Sequence, residues 1–293
     1  MAPSKSRKAT QISRELDDLV RGICGGFLFG IPLLYTIEVW WIGSSVSPLR
    51  LIVALLTTLG VTYLLSRTEG FRKAKATREN DAIGDAVEAI ALGIICATLT
   101  LILLRQITLD TPFNEALGKI IFESVPFSLG VSLSNQLLQE ADDSPVQKES
   151  SPLARRTAEN ALNETIADIG ATLIGATIIA FSIAPTDEVT VLVAAIDGPW
   201  LVLNVLTSLL LSYGIVFQAN FANQKQRRSQ TGIFQGPLSE TAISYLISLL
   251  AAALMLIFFR KLDPSAPFEL AFRQVLILGL PATIGGAAGR LAL

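Results

Sequence analysis

Eight stretches of this chain stay apolar for about 20 residues each, the length an α-helix needs to cross the hydrocarbon core of a bilayer. They are Leu19 to Ile42, Leu49 to Ser66, Ile83 to Leu104, Glu115 to Leu138, Thr165 to Ala184, Pro199 to Phe217, Ser239 to Phe259 and Phe268 to Leu291. In lipid a backbone must satisfy its own N–H and C=O groups, so such runs have to be helical. The expected fold is therefore all-α, a polytopic transmembrane helix bundle of about eight spans. Composition agrees: charged residues make up 16% of the chain, against about 25% for a soluble domain.

Val189 to Phe221 holds one charge, Asp197, and is too long for a single untilted span. Asp197-Gly198-Pro199 is a stop-and-start signal for helices. A short interfacial segment is expected before it and the sixth span after it. The first 15 residues are basic and polar, and the apolar run that follows is too long for a signal-peptide core, so it reads as a retained first span.

Lysine and arginine set the orientation. They crowd the N-terminus (Lys5, Arg7, Lys8, Arg14) and the loops after the second, fourth and sixth spans, and few lie on the other side, chiefly Arg50, Arg105, Arg260 and Lys261. The expectation is a multi-pass protein of a bacterial cell membrane with both termini cytoplasmic. Trp40, Trp41 and Trp200 then fall near the outer interface. The polar stretch 139–163 reads as a cytoplasmic linker between two four-helix halves, 1–138 and 164–293.

The halves resemble one another. At a constant offset of 155, Asp85 meets Glu240, Arg105 meets Arg260, Pro126 meets Pro281 and Gly130 meets Gly285; at 150, Asp18 meets Asp168 and Gly25 meets Gly175. Prolines and glycines in register set backbone shape, so the reading is two parallel four-helix repeats about an axis along the membrane normal. The bland alternative is two unrelated sets of spans with similar composition.

Acids inside spans are costly and serve as the candidate functional groups. Asp18, Asp168, Asp85, Glu88 and Glu240 stand at the cytoplasmic starts of spans. They read either as a cation or proton mouth or, for Asp18, Asp168 and Glu240 in first turns, as caps on helix dipoles; Glu88, one turn beyond Asp85, reads as an ion-pathway or paired acid. Glu123, mid-way along the fourth span beside Pro126, is the deepest. It reads either as an ion-pathway acid or as half of a neutral structural pair with Lys119 at i, i+4. Glu269 and Arg273 repeat that spacing and read as a structural pair, while Glu38 and Asp197 read as solvated. Gly22, Gly25, Gly26 and Gly30, and Gly285, Gly286 and Gly289, read as close-packing surfaces. Cys24 and Cys96 read as buried small residues rather than a disulfide.

Several classes drop out on sequence. The chain contains no histidine, which removes the usual zinc and haem ligand sets and histidine-based triads. It has no Walker A or Gly-x-Gly-x-x-Gly fingerprint. No cofactor, no metal site and no catalytic residue is expected. The net charge of −2 gives no general attraction to nucleic acid. The expected partners are the lipid bilayer, a small cation or proton and a second copy of the chain.

The LDDLVRG…GG…GIP pattern, Leu16 to Pro32, within the opening Arg14 to Trp41 segment, resembles an uncharacterised bacterial integral-membrane family found in cyanobacteria and some proteobacteria. The resemblance implies a multi-spanning protein of unknown function, with seven spans a common count, and it carries no site residues. Two functional readings follow from the residues: a cation- or proton-linked transporter or channel using Glu88 and Glu123, or a non-transporting scaffold or assembly factor that binds membrane proteins or lipid. An intramembrane enzyme ranks below both, for want of nucleophile motifs.

Overall fold

A computed structural model describes residues 4–68, 79–134, 158–218, 236–262, 265 and 267–291. The regular elements among the described residues are all helices, joined by short turns and breaks, with no strands. The chain divides into two compact units, one comprising Met1–Gln136 with Gln218–Asn220, the other Leu137–Phe217 with Phe221–Leu293. The expected linker over 139–163 lies outside the described residues except for 158–163, which are the first residues of a long helix.

The first unit holds α1 (Ser4–Leu34), α2 (Ile37–Ser45), α3 (Pro48–Thr68), α4 (Glu79–Leu103) and α5 (Phe113–Leu133). The second holds α6 (Ala158–Ile183), α7 (Glu188–Ala195), α8 (Gly198–Tyr213), α9 (Pro237–Phe258) and α10 (Phe268–Leu291), with a π-helical turn, Gly214–Gln218, continuing α8. Among the described residues seven helices are long and apolar enough to cross a membrane: α3, α4, α5, α6, α8 with its π turn, α9 and α10. The pair α1 and α2 meets the same test only as a broken span, bent by 91°.

That bend corrects the expected continuous first span from Leu19 to Ile42. Pro32 removes a backbone donor from the last turn of α1, and Thr36 adopts an extended conformation, its hydroxyl donating to the Leu33 carbonyl at 2.8 Å. The break before Asp197-Gly198-Pro199 falls where expected, with α7 as the short segment ahead of it and Pro199 in the first turn of α8.

In the first unit α5 packs against α1, α2, α3 and α4; in the second α10 packs against α6, α7, α8 and α9. α5 and α10 are the two most buried of the spans. Glycines let these central helices touch their neighbours backbone to backbone. A Cβ on Gly130 of α5 would strike the Gly25 carbonyl of α1, and a Cβ on Gly285 of α10 would strike the Gly175 carbonyl of α6. Without a hydrophobic drive between helices in lipid, such close approach supplies the packing energy. Cys24 and Cys96 are buried free thiols.

α4 and α9 end alike. Arg105 and Arg260 take left-handed φ values of 59° and 55°. Arg105 N–H donates to Ile102 O at 3.0 Å and Gln106 N–H to Leu101 O at 2.8 Å, while Arg260 N–H donates to Ile257 O at 3.0 Å and Lys261 N–H to Leu256 O at 2.8 Å. Each is a Schellman close with arginine where glycine is usual.

Candidate functional site

Glu123 projects from the middle of α5 and is 1% exposed. Its Oε1 has no hydrogen-bond partner. The expected pairing with Lys119 does not form. Lys119 turns the other way along α5, donating to Glu115 Oε1 at 2.7 Å and to the Gln106 carbonyl at 3.1 Å. Lys119 has a carboxylate four residues away on either side. Only Glu115 lies on the side of Gln106, whose carbonyl offers Lys119 a second acceptor.

The group that faces Glu123 comes from α2. The end of α2 lies on α5 where Gly43 and Gly118 have no side chains: a Cβ on Gly118 would strike the Gly43 carbonyl, and one on Gly43 would meet the Lys119 backbone. One turn back along α2, Trp40 is 2% exposed. Its indole N–H donates to the Leu34 carbonyl at 2.9 Å and lies within reach of the Glu123 carboxyl. Trp40 is thus withdrawn from the expected aromatic belt, whereas Trp41 is 65% exposed.

Below Glu123, Ser124, Ser128 and Ser132 form a buried hydroxyl row on α5. Ser124 and Ser128 donate to the carbonyls of Ile121 and Ser124 at 2.8 and 2.7 Å, while Ser132 Oγ has no partner. Gly93 of α4 lies against Ser128, which fixes the axial register of the two helices. Glu88 is half-buried and lies about 15 Å further along the bundle than Glu123, by helix rise. The two acids therefore do not share one site.

Asp18, Asp85 and Glu88 sit on α1 and α4 of the first unit. Asp18 pairs with Arg21 at 2.6 Å, an arginine only 1% exposed, and Asp85 is 6% exposed. Asp18 is not a cap, because α1 begins at Ser4. Asp168 is not one either, because α6 begins at Ala158. Both helices run well past the apolar stretch into polar sequence. Glu240 does stand in the first turn of α9.

In the second unit Asp168 and Glu240 meet at a cleft of about 360 Å³ of empty space that opens to the surface, lined also by Thr165, Thr172, Ser244 and Arg290. Arg290 is buried. Its guanidinium pairs with Glu240 and donates to Ser244 Oγ at 3.1 Å. The Ser244 and Thr172 hydroxyls are 3.1 Å apart, so one polar network joins α6, α9 and α10. The last turn of α10 favours a cation such as Arg290.

Glu269 and Arg273 form no ion pair, contrary to expectation. Glu269 is exposed, and Arg273 donates to the carbonyls of Val193 and Ile196 at the end of α7. It meets the orphan carbonyls of that short helix, a stronger demand than a solvated carboxylate makes. Glu38 and Asp197 are exposed.

Buried polar residues that sequence reasoning missed include Arg21, Arg290, Glu188 and Asn204. Asn204, fully buried in α8, has no hydrogen-bond partner on either amide atom. Its spacing with the buried Ser208 and Ser212, every fourth residue on one face, was the available signal. Among the described residues no group of three or more cysteine or acidic side chains is placed to hold a metal ion.

The helices and their buried polar groups define a polytopic α-helical integral membrane protein. Residues 18–293 match the family described as "Putative integral membrane protein (DUF2391)", and the chain belongs to that family, whose function is unknown. No curated protein and no solved structure shows significant similarity to it.

Proposed function

We propose that this protein moves protons or small cations across a bacterial cell membrane, with Glu123 as the ion-linked group and both termini cytoplasmic. The observation that carries the reading is the Glu123 carboxyl, buried in mid-span, with one oxygen lacking any hydrogen bond and the nearby lysine committed elsewhere. An acid in such a place costs several kcal/mol unless a proton or ion occupies it. A purely structural carboxyl would be expected to keep its cation. The row Ser124, Ser128 and Ser132 offers a polar path from Glu123 toward the cytoplasmic end of α5. Asp18, Asp85 and Glu88, and in the second unit Asp168 and Glu240, form the cytoplasmic mouths of this reading. Lysine and arginine bias in the loops supports the orientation.

The same reading includes an internal duplication. It is supported by the shared element order of the two units, by the paired contacts Gly25–Gly130 and Gly175–Gly285, and by the left-handed closes at Arg105 and Arg260. The test is flux: purified protein in liposomes should pass protons, sodium or potassium down an imposed gradient. Liposomes no leakier than protein-free ones would favour the scaffold reading instead.

A further inference from the structure

We infer that the species taken up at Glu123 is a proton rather than a metal ion, and that Trp40 is the residue that positions the carboxyl. The inference rests on the transport reading and names its substrate.

A metal cation stripped of water needs about six oxygen ligands around it. Glu123 offers a single carboxylate, one oxygen of which has no hydrogen-bond partner among the described residues. The neighbouring Ser124 hydroxyl, which donates to the Ile121 carbonyl at 2.8 Å, could add at most one further oxygen. The group presented by α2 is the indole N–H of Trp40, a donor with no lone pair to offer a cation. Among the described residues no group of three or more cysteine or acidic side chains that could hold a metal ion forms around Glu123. A carboxylate facing an N–H donor is an arrangement that holds an anion or accepts one proton.

The other ionisable groups on the elements packed against α5 do not alter this. On α2, Glu38 is exposed. On α5 itself, Lys119 and Glu115 satisfy each other. On α1, Asp18 and Arg21 pair at the opposite end, with Cys24 between and Tyr35 at the break. On α4, Asp85 and Glu88 stand near its start, Cys96 in its middle and Arg105 just past its end. On α3 the groups are Arg50, Tyr63 and Arg67.

Trp40 has a second role through Leu34. That carbonyl ends α1, where the chain turns by 91°, and it accepts the indole N–H, which lies within reach of the Glu123 carboxyl. An anionic carboxylate draws the N–H more strongly than a neutral one. When Glu123 takes up a proton, the indole turns wholly to Leu34; when that proton leaves, the indole swings back toward the carboxylate. The proton binds at and departs from a Glu123 oxygen, and Trp40 keeps its own throughout.

The test is labelling of Glu123 by dicyclohexylcarbodiimide, to whose central carbon a carboxyl oxygen adds as its proton passes to the carbodiimide nitrogen, in the full-length protein in detergent, read by peptide mass spectrometry across pH. Labelling should follow one protonation curve, unchanged when choline chloride is replaced by sodium, potassium or magnesium chloride at equal ionic strength. Trp40→Phe, which removes a donor to the anion, should raise the midpoint by up to about one pH unit. Saturable protection by a metal ion, or an unmoved midpoint in Trp40→Phe, overturns the inference. Should that variant fail to fold, Trp41→Phe/Trp200→Phe protein leaves Trp40 as the sole tryptophan. Its emission should then titrate with the labelling midpoint, and a flat emission counts against the proposal. Proton-only labelling in a protein that passes no flux would sink the transport reading and leave only the proton assignment and the role of Trp40 at Glu123.

Discussion

The carbonyl oxygen of Gly25 occupies the space into which a side chain on Gly130 would project, so α1 and α5 meet with nothing between their backbones. Glycines elsewhere in the same unit face open space, Gly60 on α3 and Gly84 on α4 among them. The two kinds respond oppositely to one methyl group. Gly130→Ala should cost about 1–3 kcal/mol through overpacking, while Gly60→Ala should gain up to about 1 kcal/mol from helix propensity. Thermal unfolding in detergent reads both, and equal effects would show that the contact is not close.

The buried Arg290–Glu240 pair spans α10 and α9. Glu240→Gln removes one counter-charge from a buried guanidinium and should cost up to about 3–5 kcal/mol. Replacing both, as Glu240→Gln with Arg290→Met, should recover much of that loss. A double variant as unstable as the sum of the singles would show that the two side chains act separately.

Arg260 is exposed and sits at φ 55°. A side chain other than glycine pays roughly 1–2 kcal/mol for that backbone. Arg260→Gly should therefore raise the melting temperature and Arg260→Val should lower it, the reverse of the usual preference for a larger residue. A lower melting temperature for the glycine variant would mean that the arginine side chain contributes more than its backbone strain.

Lys119 is shared by Glu115 and the Gln106 carbonyl. Double-mutant cycles separate this from the alternative spacing. Lys119→Met and Glu115→Gln should couple by about 0.5 kcal/mol or more, whereas Lys119→Met and Glu123→Gln should add within about 0.5 kcal/mol. Strong coupling to Glu123 would restore the pairing that the i, i+4 pattern suggests.

Much of the fold is legible in the order of residues because lipid is an exacting solvent. Within the described residues the apolar runs from the second to the eighth are helical (positions 135–138 of the fourth lie outside them), and Asp197-Gly198-Pro199 breaks the chain where its chemistry says it should. The break at Tyr35–Thr36 was hidden, because the hydropathy of the first run continues across it and only Pro32 hinted at it. Helix starts were misplaced at Asp18 and Asp168, since helices continue into polar sequence once outside the lipid and hydropathy cannot see that. The site was half legible. Glu123 stood out as an acid in an apolar span, but its true neighbour, Trp40, is more than 80 residues away in sequence and reads there as an interfacial aromatic. Lys119 has equally spaced acids on both sides, and only the position of Gln106 decides between them. Arg21 and Arg290 look like ordinary flanking charges until the bundle closes over them.

The central claim is that the Glu123 carboxyl carries the transported charge. Proton uptake into liposomes, driven by a potassium-diffusion potential and followed by a pH-sensitive dye, compares the intact protein with Glu123→Gln, a substitution that keeps shape and removes the titrating group. The account predicts uptake well above protein-free vesicles for the former and uptake at the vesicle background for the latter, with both proteins melting at similar temperatures. Uptake by Glu123→Gln equal to that of the unaltered protein would contradict it.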